Sequence, residues 1–237
     1  MVDWIINVLV IGIPIIMAMV LHELAHGYAA LALGDDTAKR LGRLSLNPIR
    51  HVDPVGTLLL PGTLILLQTL FVGHIVFLFG WAKPVPIAAY RFPNPRRGMA
   101  IVAAAGPLAN FVLAWLAALA LHLVPDLSPG DISPSVTWPS DMLSMFIQFN
   151  LVLGLFNLLP IPPMDGGRIV VGLLPERQAA TWASLERVGL ALVLGIVVLL
   201  PQLLSEFGIR FDPVGAMLGT VLPRAMNLVF RLAFLHA

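Results

Sequence analysis

His22-Glu23-Leu24-Ala25-His26 is the stretch whose residue types and spacing can do chemistry. It lies inside an apolar run over residues 4–33, long enough for a membrane-spanning helix, so the two histidines, four apart, share one helix face. Such a pair can offer two imidazole nitrogens to a zinc ion, and the Glu beside the first His can act on water as a general base. Three ionisable groups within five residues are expensive at membrane depth, where a lone charge costs about 2.5–3.5 kcal/mol. A bound metal offsets that cost. The alternative is a polar trio bonded to neighbouring helices or lining a water-filled crevice.

The elements that must position this cluster are helices in lipid. The chain has 237 residues, of which 58% are hydrophobic and only 11% charged, against about a quarter charged in a soluble domain. Its mean hydropathy is +0.90. The fold class that follows is all-α: a polytopic transmembrane helical bundle, forming one integral-membrane domain over 1–237. A net charge of +1 gives no reason to expect nucleic acid as a partner. With no Cys there is neither a disulfide nor a thiolate ligand, so any zinc must rest on His and carboxylate. The first apolar run lacks a basic leader and a small-residue cleavage site, and is expected to be retained.

Six apolar segments follow one another, at about 4–33, 55–80, 98–124, 142–159, 179–203 and 213–235. The second has basic flanks on both sides, Lys39, Arg40, Arg43 and Arg50 before it and Lys83, Arg91, Arg96 and Arg97 after it. The positive-inside rule puts both flanks in the cytoplasm. A re-entrant hairpin and a plain span both remain open here, giving five to six membrane segments. Polar–apolar alternation over Arg43–Asn47 signals a short β element near the active site. The third segment carries Ala103, Gly106, Asn110, Ala114 and Ala118 on one face, a surface that lets another helix come close. The 125–141 loop has Asp but no Lys or Arg and is expected outside the cell, which leaves 35–53, 81–98 and 161–178 in the cytoplasm.

A catalytic zinc usually takes three protein ligands plus water. The third candidate is Asp165, at the proline-broken end of segment four. Two other readings stand beside it: a cap for the short helix that starts at Gly166, or an ion pair with Arg168. A different zinc protease could use Glu176 or Glu186 instead.

Taken together, His22-Glu23-Leu24-Ala25-His26, Ala105-Gly106-Pro107-Leu108-Ala109-Asn110 and the run Asn157 to Gly166 resemble the site-2 protease family of intramembrane zinc metalloproteases. Gly80-Trp81-Ala82-Lys83-Pro84-Val85-Pro86 is similar to its compact members, which lack PDZ and CBS domains. The resemblance covers most of residues 15–175, within a catalytic core of about 4–175; the helices at about 179–235 carry no motif. It implies one Zn2+ per chain held by His22, His26 and Asp165, with Glu23 as the general base. It also implies that Asn157 and Asn110 serve substrate binding, Asn157 near the substrate or steadying the oxyanion. The substrate would be a transmembrane segment of another protein. The setting would be a multi-pass protein of a prokaryotic cell membrane with its active site open to the cytoplasm. The rival function is an inactive relative or a metal-ion transporter using the same cluster.

The remaining histidines have plainer readings. His51, two residues before Asp53, suits a loop bond, a gate or a partner of the site. His74 is read as a packing group, His122 as interfacial and His236 as solvated. Trp4, Trp81, Trp138 and Trp182 fall near proposed membrane boundaries and are read as anchors.

Overall fold

Three long helices hold the His–Glu cluster. In the computed structural model of the protein, which describes residues 2–71, 73, 80–124 and 134–234, the first is α1, Val2–Ala32. It carries no charged residue between Asp3 and Glu23. Large apolar side chains such as Ile5, Leu9, Ile13 and Ile16 stay exposed on it, as a helix in lipid requires. A π-type turn over Pro54–Leu59 leads into α2, Leu60–Phe71. Helix α3, Pro95–Ala120, starts at a proline, with the Asn94 side chain capping it by accepting from the Arg97 N–H at 3.1 Å. Helix α4 covers Pro134–Asn157. Helices α5, Asp165–Leu173, and α6, Glu176–Ser184, follow the proline break. Helix α7, Leu222–Leu232, ends the described chain after a broken helical run.

Helices α1, α3 and α4 pack pairwise, with α5 laid against α3. Contacts from His22 to Asn110 and from His26 to Val102 run in opposite chain order, so α3 is antiparallel to α1. The small-residue face of α3 is buried as its spacing predicts: Ala103, Asn110, Ala114 and Ala118 are all 2% exposed or less. Ile147 and Leu151 of α4 complete this core, and Val229 of α7 joins it.

Two features differ from the sequence expectation, the number of crossing helices and the β element. By length and apolarity, three helices among the described residues can cross a membrane, Trp4–Ala32, Pro95–Leu123 and Thr137–Asn157, rather than five or six. The fifth segment is a pair of helices bent by 76° at a short break, and makes a fourth crossing only if the pair counts as one span. In the sixth, the helix is interrupted by a π-type stretch, and Arg224 and Arg231 lie in α7. The apolar helix in segment two, Pro54–Leu70, is 17 residues, or about 25 Å at the α-helical rise, short of a roughly 30 Å core. Residues 72 and 74–79 of that segment, His74 among them, lie outside the described residues, as do His236 and 125–133 of the 125–141 loop. No strand occurs among the described residues. Arg43–Asn47 is irregular because its polar groups turn to side-chain bonds instead of a ladder: Arg43 Nη2 donates to Lys83 O at 2.8 Å, and the Ser45 carbonyl accepts from the His51 ring. The chain is an integral membrane protein of helices.

Asp35, just past the end of α1, ties two loops together. It is 1% exposed. One oxygen accepts from the Thr37 amide and hydroxyl, and the other from the Ala88 amide at 2.6 Å. Burial alone would raise its pKa; the Thr37 and Ala88 donors and the Arg91 charge outweigh it and hold the carboxyl below the usual carboxylate range. A lowered folded pKa stabilises the protein above the unfolded value near 4 and withdraws that support as pH falls through the folded value. Asp35→Asn is therefore expected to cost about 2 kcal/mol at pH 7. The gap between variant and wild type should narrow in thermal unfolding as pH drops below about 4. A gap independent of pH would contradict this reading.

Candidate metal centre

The helical period of α1 puts His22 and His26 one turn apart, both buried, at 5% and 7% exposed. Three prolines, Pro160, Pro162 and Pro163, stop α4, and the chain re-enters a helix at Asp165. That brings the Asp165 carboxylate against both rings. Its Oδ2 lies 3.2 Å from His22 Nε2 and 3.3 Å from His26 Nε2. The two Nε2 atoms are 3.0 Å apart. Tetrahedral zinc bound at 2.0–2.1 Å needs donors about 3.3 Å from one another, close to this triangle.

The outer bonds of the rings say what the triangle presents. His26 Nδ1 is 2.7 Å from Val102 O. A carbonyl only accepts, so Nδ1 carries the proton and a neutral ring leaves Nε2 as a lone pair. His22 Nδ1 is 2.6 Å from Asn110 Oδ1, which orients that ring likewise. Asp165 Oδ2 is buried and makes no hydrogen bond to the described residues. Two lone pairs and a carboxylate oxygen thus meet at about 3 Å. One extra proton would serve one edge of the triangle only. A divalent cation engages all three donors, so these residues fit a zinc ion, with ring orientation supplied from behind in the manner of metal-ligating histidines.

Glycines make room for this arrangement at two places. A Cβ on Gly106 would sit 2.5 Å from the His26 ring and 2.6 Å from the His22 ring, so α3 can lie on α1 here only without a side chain. A Cβ on Gly166 would sit 2.3 Å from the carbonyl oxygens of Leu158 and Leu159, so the start of α5 seats against the broken end of α4.

A cavity of about 440 Å³ opens beside the triangle. Met19, Trp81, Val85, Phe156 and Met164 give it a mainly apolar wall, and Glu23, Asn157 and Arg168 add polar groups. Glu23 Oε2 accepts from the Val85 N–H at 3.0 Å, which fixes one carboxylate oxygen and leaves Oε1 for other partners. Asn157 Nδ2 donates back to Leu153 O at 3.0 Å, leaving one amide hydrogen. Asn110 stands elsewhere. It is fully buried behind His22, its oxygen is engaged by the ring, and it does not line the cavity.

The rival carboxylates are not in the cluster. Arg168 pairs with Glu186 at 2.6 Å instead of with Asp165, and Glu176 begins α6. His51 is buried and makes the loop bond, its Nε2 lying 2.8 Å from Ser45 O. His122, exposed just past α3, bonds Ala233 O just past α7 through its ring at 2.8 Å. Trp81 lies over Gly56 and walls the cavity. Sequence reasoning missed Asn150 and the Val85 amide. Asn150 was visible as a polar residue in an apolar segment, two helical turns before Asn157 on the same face. The Val85 contact depends on a loop path that no local pattern encodes.

Comparison with known proteins bears on the same residues. Residues 132–200, which include Asp165, match the family described as Peptidase family M50. The Bacillus subtilis (strain 168) protein named "Putative zinc metalloprotease YwhC" is 40% identical over 186 residues, 78% of this chain and 78% of the relative. The chain belongs to the site-2 protease family. Two further relatives of these zinc metalloproteases are mycobacterial. "Putative zinc metalloprotease Rip2" of Mycolicibacterium smegmatis is 34% identical over 168 residues, 70% of this chain and 58% of the relative. The protein of the same name from Mycobacterium tuberculosis (strain ATCC 35801) is 30% identical over 227 residues, 91% of this chain and 80% of the relative. No solved structure matches the chain. A site-2 protease is expected to keep a His-Glu-x-x-His pair and a distant Asp, and in this chain those three ligand candidates meet in one place.

Proposed function

We propose that the protein is an intramembrane zinc-dependent endopeptidase that hydrolyses a peptide bond in or near a transmembrane segment of another membrane protein. The observation that carries this reading is the buried triangle of His22, His26 and Asp165 with Glu23 on the adjoining cavity. His22 is ten residues before the end of α1, about 15 Å along the helix, and it lies inside the apolar span Trp4–Ala32.

His22, His26 and Asp165 would hold one zinc. The ion would supply Lewis acidity and make hydroxide available near neutral pH. Glu23, half-buried and held through one oxygen by Val85, takes the proton of the attacking water on its other oxygen and delivers it to the leaving amine. The remaining Asn157 amide hydrogen is placed to meet a substrate carbonyl oxygen as charge develops on it. The apolar wall accepts the side chains of a membrane segment and keeps bulk water from the site.

Lys39, Arg40, Arg43, Lys83 and Arg91 belong to the two connections joined by Asp35 and Arg43 at the site end of the bundle, and Arg96 and Arg97 open α3 at that same end. The positive-inside rule assigns that end to the cytoplasm of a prokaryotic cell membrane.

Purified protein reconstituted with candidate membrane-helix substrates tests the proposal. Cleavage should stop with a zinc chelator and return when zinc is restored. Metal flux across liposomes without any cleavage would favour a transporter and overturn it.

A further inference from the structure

Behind the metal centre runs a chain of hydrogen bonds whose direction is fixed at its far end. Asn150, in α4, is fully buried. Its Nδ2 lies 2.8 Å from Phe146 O, a backbone carbonyl that can only accept. This orients the Asn150 amide, so Oδ1 faces α3 and accepts from Asn110 Nδ2 at 2.8 Å. Asn110 Nδ2 also faces the Ala18 carbonyl at 3.5 Å, which agrees with the same orientation. Asn110 Oδ1 is then the atom turned to His22, 2.6 Å from Nδ1. Each amide has one orientation that leaves no donor facing donor, and the last bond puts a proton on His22 Nδ1.

We infer that Asn150 is a positioning residue for the metal centre: through Asn110 it fixes His22 in the tautomer whose Nε2 faces the ion. The inference rests on the reading of His22 as a zinc ligand. Asn150 touches neither the proposed ion nor the cavity, so its effect reaches the site only through Asn110. Three helices contribute to the chain, α4, α3 and α1. Apolar surroundings raise its importance, because a buried amide with a missing partner has no water to turn to.

The test is a double-mutant cycle read in zinc affinity of the detergent-purified full chain. Outer partners of metal-ligating histidines are worth roughly 10–100-fold in affinity. Asn150→Leu should weaken zinc about tenfold, and should add almost nothing when Asn110 is already Leu. Asn150→Ala reads the same coupling if the Leu variant does not fold. In zinc-free protein, nitrogen NMR of the His22 ring should show Nδ1 protonated in wild type and a mixture of tautomers in the Asn150 variants. Unchanged affinity and tautomer in folded Asn150 variants would overturn the inference, as would an equal loss in the Asn110→Leu background. Failure of wild type to bind zinc at all would instead overturn the reading of the site.

Discussion

Glu23→Gln is expected to lower cleavage of a membrane-helix substrate by roughly 10²–10⁴-fold, the usual worth of a general acid–base group, while one zinc stays bound per chain. The substitution is close to isosteric. The Gln carbonyl can still accept from the Val85 N–H, so the 80–88 loop keeps its contact with α1. What goes is the basicity of the second oxygen. His22, His26 and Asp165 are untouched, so metal content should equal that of wild type. Cleavage assayed beside zinc analysis on the same preparation checks this. A variant cutting at the normal rate would take the base role away from Glu23. A variant inactive because it had lost its zinc would show that Glu23 acts on the metal site itself.

Gly106→Ala should weaken zinc binding about 100-fold, the upper end of the effect of groups that set ligand orientation, and cleavage should fall with it. The new methyl would start 2.5 Å from the His26 ring, a distance real Cβ contacts do not show. Neither neighbour can give cheaply. Gly106 sits in the middle of α3, and both imidazoles are held from behind by Val102 and Asn110 of that same helix. Either α3 moves off α1 or the rings leave their staggered positions, and both break the donor triangle. Gly12→Ala is the control, because nothing lies within 4 Å of its added Cβ. Equal zinc affinity in Gly106→Ala and wild type would show that the helices are less closely seated than described.

Much of this site could be read from the sequence, for identifiable reasons. The His22–His26 pair follows from helical period alone. Glu23 follows from its neighbour. Asp165 does not: three prolines say that a helix ends, but the direction the chain takes afterwards depends on Gly166 seating against the Leu158 and Leu159 carbonyls. Family resemblance supplied what local chemistry left open. Asn110 shows the opposite case. Its motif was legible, yet the side its amide faces is decided by packing between α1, α3 and α4. The alternation at Arg43–Asn47 has the right period for a strand but no adjacent strand to pair with among the described residues. Apolar content points to five or six crossings where three helices among the described residues have the length and apolarity for one, because it does not register where a helix bends or stops short.

Zinc content and zinc X-ray absorption, measured on wild type and Asp165→Ala, test the central claim most directly. The account predicts one zinc per wild-type chain with two imidazoles in its coordination shell, and loss of most of that zinc in the variant. Full zinc occupancy and an unchanged absorption spectrum in Asp165→Ala would contradict it.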